Sequence, residues 1–140
     1  MRLGIDLGTT RTVVARVDRG NYPVITVSDT LGDSRDFVPT VAALVGDELV
    51  YGYEALAAEA AGAPLLRSFK RELGEPSTTL GTTVDLGGRE VALLDLMTGF
   101  LKALRVKIVA SLGRGGAKEP LEAVVSVPAH ARTTQRYLTI

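Results

Sequence analysis

The chain has 140 residues, 46% of them hydrophobic and 23% charged, a size and composition suited to one globular domain. Sixteen basic residues balance sixteen acidic ones, so no basic excess argues for nucleic acid or an anionic membrane as a partner. Cysteine is absent, which excludes disulfides and thiolate chemistry, and no apolar run approaches the roughly 18 residues that span a bilayer.

The first residues alternate apolar and polar and do not form the apolar block of a signal peptide, so a cytoplasmic protein is the expectation. Arg2–Leu7 has a strand period, with Leu3, Ile5 and Leu7 on one side and Arg2, Gly4 and Asp6 on the other. Gly8-Thr9-Thr10 turns the chain into a β-branched strand over Thr12–Val17. Asp18–Asn21 is turn chemistry, and Val24–Val27 reads as a third strand, so the chain opens as an antiparallel meander.

Thr30–Asp36 is polar and reads as a surface loop. Val41–Val45 and Leu49–Tyr51 flank Gly46-Asp47-Glu48 as a short hairpin. Ala-rich Tyr53–Ala61 favours helix, stopped by Gly62-Ala63-Pro64, and Leu65–Leu73 reads as a second short helix ended by Gly74. Thr82–Leu86 and Glu90–Val91 bracket Gly87-Gly88 as another hairpin.

From about Ala92 to Leu112, the residues Leu93, Met97, Phe100, Leu101, Leu104, Ile108 and Leu112 recur at helical steps, and Gly113 closes the helix. Arg114–Pro120 is a loop. Ala123–Val127 is nearly all apolar, as for a strand buried on both faces. Pro128 starts a last segment, Ala129–Ile140, that looks helical and runs into the final residue, which suggests a piece of a longer protein.

Chemistry concentrates in Asp6-Leu7-Gly8-Thr9-Thr10. A strand-end carboxylate beside a turn that offers the backbone N–H groups of Gly8, Thr9, Thr10 and Arg11 suits magnesium and phosphate together. Glycine there lets the backbone approach an anion. The same residues read equally well as ordinary hairpin material, and Lys70 alone reads better as one more surface lysine on a basic helix.

Taken with Phe37-Val38-Pro39-Thr40, Phe69-Lys70-Arg71-Glu72-Leu73-Gly74 and Val125-Ser126-Val127-Pro128-Ala129 followed by Gln135-Arg136, the opening motif resembles the N-terminal part of the seventy-kilodalton heat-shock (DnaK-type) chaperone family. The resemblance spans essentially the whole chain. It implies an α/β, ribonuclease-H-like first lobe of an actin-like ATPase, in which the Leu121–Val127 strand adds parallel to the first strand and residues 40–86 form a smaller inserted subdomain.

It also implies roles. Asp6 would hold Mg2+ through water, Gly8, Thr9, Thr10 and Arg11 would contact the phosphates of ATP or ADP, and Lys70 would be the catalytic lysine beside the terminal phosphate. Pro128 and Arg136 would relay nucleotide state between domains. The implied parent is an ATP-driven chaperone of the stress response, working on unfolded peptides with a J-domain co-chaperone and a nucleotide exchange factor, and not on nucleic acid or membrane. The chain alone is expected to bind ATP weakly, without turnover, and to expose a sheet edge open to self-association.

Departures exist. Arg11 stands where the family has a small polar residue, and Ala129-His130-Ala131 replaces its Ala-Tyr-Phe. Asp85-Leu86-Gly87-Gly88 echoes the family's second phosphate loop but continues as Arg89-Glu90, so it reads as a plain hairpin. A sugar or glycerol kinase, or an actin-like filament protein, of the same superfamily are the other classes that begin with such a strand.

Overall fold

The computed structural model describes residues 1–116 and 120–126. Pro128, His130, Arg136 and the helix expected over Ala129–Ile140 lie outside the described residues.

Two strands, β1 (Arg2–Leu7) and β2 (Arg11–Arg16), form the expected antiparallel hairpin, with Leu3 opposite Arg16 and Leu7 opposite Thr12. Alternation sends Leu3, Ile5 and Leu7 into the core and leaves Arg2, Gly4 and Asp6 on the open face. The third strand of the meander does not form as expected. Ile25 N–H reaches Val14 O and Arg16 N–H reaches Pro23 O, but Ala15–Val24 is only an isolated bridge. Pro23 has no N–H to extend the ladder, and the chain leaves to bury Ile25 and Val27.

Two dipeptide strands follow, β3 (Val27–Ser28), at the end of the expected third strand, and β4 (Ser34–Arg35), inside the expected Thr30–Asp36 loop, paired with each other. Asp29 organises the link: one carboxylate oxygen accepts from the Leu31 and Asp33 amides, the other from Arg35 Nε. The chain then returns to the edge of β2 as β5 (Val38–Pro39), with Thr12 opposite Val38.

The hairpin of β6 (Val41–Val45) and β7 (Glu48–Tyr51) carries α1 (Tyr53–Ala60), both close to expectation. The second short helix is a correction. Leu65–Arg67 is a strand, β8, completing a three-stranded sheet in the order β7-β6-β8. Ser68 adopts a left-handed conformation (φ 56°), and a 3₁₀ helix covers Phe69–Gly74. Pairing with β6 satisfies the Leu65–Arg67 backbone, and the left-handed step re-aims the chain so that Phe69, Lys70 and Leu73 turn inward. Lys70 and Leu73 share a face because the 3₁₀ repeat is three residues.

β9 (Thr83–Leu86) and β10 (Arg89–Ala92) form the hairpin read from Asp85–Gly88, with both glycines at positive φ, as a two-residue turn of this type needs. Gly87 has a further reason to be glycine: a methyl there would strike the Pro64 ring.

The long helix α2 (Leu93–Gly116) starts one residue late and is broken, not ended, at Gly113, after which the helical backbone resumes. Leu93, Leu96, Met97, Phe100, Leu104 and Ile108 are buried at three- and four-residue steps against Leu3, Ile5 and Leu7 in one continuous core. Each such side chain contributes about 1.5–3 kcal/mol when fully buried.

Strand β11 (Glu122–Val125) pairs parallel to β1, so the sheet order is β11-β1-β2-β5 and the sheet is mixed. Its expected burial on both faces is not found. Val124 is 76% exposed, Ala123 on the opposite face is exposed as well, and within β11 only Val125 is half-buried against the core. The outer edge of β11 has no strand partner among the described residues.

Candidate functional site

The turn between β1 and β2 is tight. Gly8 N–H donates to Arg11 O at 3.1 Å, and a side chain on Gly8 would collide with that same carbonyl. Gly8 is therefore required by the turn itself, and its amide is used inside it. Among the described residues the Thr9 and Thr10 amides make no backbone hydrogen bond, and both threonines are exposed. The turn thus offers the Thr9 and Thr10 amides and two hydroxyls, while the Gly8 amide, which the sequence offered as open, is spent inside it.

Below the turn, Thr12 and Thr40 share a buried hydroxyl–hydroxyl bond of 2.9 Å, and Thr40 N–H donates to Thr10 O at 3.0 Å. Thr40 belongs to the Phe37–Thr40 motif, whose Val38 fills the core. The motif therefore braces the turn from beneath.

Asp6 stands at the end of β1 on the open face. Parallel pairing of β11 brings Ser126 beside it: Ser126 N–H donates to Ile5 O at 2.8 Å and Ser126 Oγ donates to Asp6 Oδ1 at 2.7 Å. The face around them is a shallow hollow of about 320 Å³, lined by Gly4, Asp6, Val13, Ala15, Val124 and Ser126.

Lys70 arrives from the other side. It is 7% exposed, and its ammonium donates to the carbonyl oxygen of Leu7, the residue next to Asp6. Burial pulls its pKa below the ordinary lysine value, and the Asp6 carboxylate pulls it partly back up. A lysine 63 residues away in sequence is thus placed at the strand end, held by a carbonyl instead of a carboxylate.

Arg11 points elsewhere. Its guanidinium lies 5.4 Å over the centre of the Phe37 ring and has no acidic partner among the described residues. Of the residues singled out from sequence, Asp6, Gly8, Thr9, Thr10 and Lys70 come together, while Arg11 flanks them. Sequence reading assigned no role to Ser126, Thr12, Thr40 or Phe37. The signal for Ser126 was present: if the last strand runs parallel to the first, Val125 opposite Ile5 sets Ser126 beside Asp6.

One carboxylate, open amides and a cation at one strand end suit a magnesium-bound polyphosphate. Among the described residues there is no cluster of three or more histidine or acidic side chains that would enclose a bare ion. Magnesium that keeps its waters needs only one or two carboxylates plus phosphate oxygens. A larger hollow of about 580 Å³ between α2 and β7 contains none of these residues.

No family model matches the chain. It is 30% identical to a chaperone protein HscA homolog of Pseudoalteromonas atlantica, over 97% of this chain and 24% of that protein. It is 32% identical to the HscA homolog of Tolumonas auensis over 98% of this chain and 24% of that protein. Against the chaperone protein DnaK of Mycoplasma mycoides it is 27% identical over 98% of this chain and 21% of that protein. The chain is a divergent relative of the seventy-kilodalton heat-shock chaperones. It spans about a quarter of the length of these chaperones, and its mixed α/β structure with a mixed sheet agrees with the lobe of an actin-like ATPase that they imply. No helix among the described residues is long and apolar enough to cross a membrane.

Proposed function

We propose that the chain forms one wall of a nucleotide site, the ribonuclease-H-like first lobe of an ATP-driven chaperone. The observation that carries this reading is the convergence of Lys70 on the Leu7 carbonyl, beneath Asp6 and the Gly8–Arg11 turn. A buried ammonium held by a carbonyl instead of a carboxylate costs stability, and structural packing alone would be served better by an apolar side chain.

In this reading Asp6 holds Mg2+ through water, its orientation fixed by Ser126. Thr9 and Thr10 receive the phosphates through amides and hydroxyls, with Gly8 shaping the turn and Arg11 as an additional cation. Lys70 fixes positive charge next to the terminal phosphate, where phosphoryl transfer depends on positioning and charge neutralisation. When bound, magnesium would neutralise phosphate charge and orient it. Residues 40–86 form the smaller subdomain that carries Lys70 to the site, and Pro128 and Arg136 relay nucleotide state. The unfolded-peptide, J-domain and exchange-factor partners, and the cytoplasmic setting, belong to a full-length parent, as does the hydrolysis itself. The β11 edge, unpaired among the described residues, is a site for self-association, measurable by sedimentation against concentration.

A single wall leaves the nucleotide in high-dielectric water, where each charge contact is weak. Calorimetric titration of the chain with ATP and magnesium should therefore give weak binding, with a dissociation constant on the order of millimolar, and no turnover. Tight magnesium-dependent binding by this chain alone would overturn the one-wall reading.

A further inference from the structure

Strand β2 lies between β1 and β5, and this order decides what Arg11 can reach. Thr12 and Val14 point into the core, so Arg11, Val13 and Ala15 share the open face with Gly4 and Asp6. Val13 pairs directly with Asp6. Arg11 is therefore the diagonal neighbour of Asp6, about 7–8 Å away between side-chain bases and within reach of an arginine. An ion pair across the open face is the arrangement that charge alone would choose.

That pair does not form. The guanidinium sits over Phe37, on the β5 side, turned away from β1. Phe37 is itself fixed: its carbonyl accepts from Tyr53 Oη at 2.7 Å, and the two rings pack with centroids 6.2 Å apart. Asp6 is left with one neutral donor, the Ser126 hydroxyl, on the β11 side.

We propose that Phe37 is a positioning residue whose ring holds the Arg11 guanidinium on the β5 side and so keeps it from neutralising Asp6. The proposal rests on the reading of Asp6 as a carboxylate that must stay open to a hydrated divalent cation. An arginine in the phosphate turn is then compatible with that cation because an aromatic face competes for the guanidinium. Cation–π attraction at a partly exposed ring is comparable to an exposed ion pair, so the ring can win when it is rigid and near.

The test uses the full chain and two readouts, the Arg11 Nε–Hε resonance and Mn2+ affinity from paramagnetic broadening. In the unsubstituted chain, the Phe37 ring should shift Arg11 Hε upfield. Phe37→Leu should abolish that shift and move Hε downfield as the guanidinium pairs with Asp6, and adding Asp6→Asn should reverse the downfield move. Phe37→Met serves where the leucine variant does not fold.

Mn2+ affinity should fall about three- to fivefold in Phe37→Leu, return in Phe37→Leu with Arg11→Gln, and be retained in Phe37→Trp. The absence of a ring-shifted Hε in the unsubstituted chain would overturn the proposal. So would a downfield move in Phe37→Leu that ignores Asp6→Asn, or a Mn2+ affinity that rises in Arg11→Gln alone. If the unsubstituted chain binds no Mn2+ at Asp6, the metal reading of Asp6 fails, and the Hε shifts alone decide whether Phe37 holds Arg11 away.

Discussion

The Lys70 ammonium donates to the Leu7 carbonyl, joining the 3₁₀ helix to the end of β1 across the core. The same contact places a cation next to Asp6 and desolvates it, so burial lowers the Lys70 pKa. A lysine that releases its proton more readily when folded leaves the unfolded chain binding more protons between its folded pKa and the ordinary value of 10.5. Stability should therefore rise with pH through that window. The denaturation midpoint of the unsubstituted chain, relative to that of Lys70→Met, should rise with alkaline pH through this window. The tyrosines Tyr51 and Tyr53, whose pKa values are raised, contribute equally to both proteins and cancel in the comparison.

Gly8 and Gly4 make opposite forecasts on neighbouring positions. A methyl on Gly8 would strike the Arg11 carbonyl, a backbone atom that cannot step aside without opening the turn. Gly8→Ala should cost about 1–3 kcal/mol in chemical denaturation. Gly4 has open space on the exposed face, so Gly4→Ala should stay within about 0.5 kcal/mol of the unsubstituted chain. Equal effects at the two positions would show that the turn is not built as described.

Much of this was legible in the sequence, and the misses have physical causes. The Arg2–Leu7 alternation and the Leu93–Ile108 periodicity each encode their own geometry, because one face is buried and the other is wet. Leu65–Leu73 misled because its apolar spacing fits a helix locally, while β6 offers the Leu65–Arg67 backbone a ladder that local spacing does not reveal. Val24–Val27 has strand composition but follows Pro23, which weakens its ladder. At the site, the residue types were visible and their partners were not. Nothing local to Arg11 signals Phe37, and nothing local to Asp6 signals Ser126, since both contacts depend on which strands lie side by side.

Gly99 lies in α2 directly under Tyr51, and a methyl there would fall on the tyrosine hydroxyl and ring. That ring is held edge-on against Phe100, with centroids 6.4 Å apart. In an unencumbered helix, Gly→Ala stabilises by about 1 kcal/mol. Here Gly99→Ala should destabilise by about 1–3 kcal/mol, and should become stabilising in a Tyr51→Leu background. A thermal-melt double-mutant cycle checks the change of sign.

Asp29 contributes to the acid limb of stability. The hydrogen bond from Arg35, with amide donations from Leu31 and Asp33, holds its carboxyl below the ordinary 3.8. Such a group adds stability that is complete above its unfolded pKa and is lost as pH falls through the lower folded value. Asp29→Asn should lower the melting temperature at neutral pH and flatten its fall under acid. A parallel fall in both proteins would contradict this assignment.

The central claim is that the end of β1 is a nucleotide wall, and amide chemical-shift mapping during an ATP titration with magnesium tests it most directly. The Thr9 and Thr10 amides and the Lys70 region should shift in a saturable way, and Asp6→Asn should suppress the magnesium-dependent part. Shifts confined to the hollow between α2 and β7, or shifts at Thr9 and Thr10 that are indifferent to magnesium and to Asp6→Asn, would contradict it.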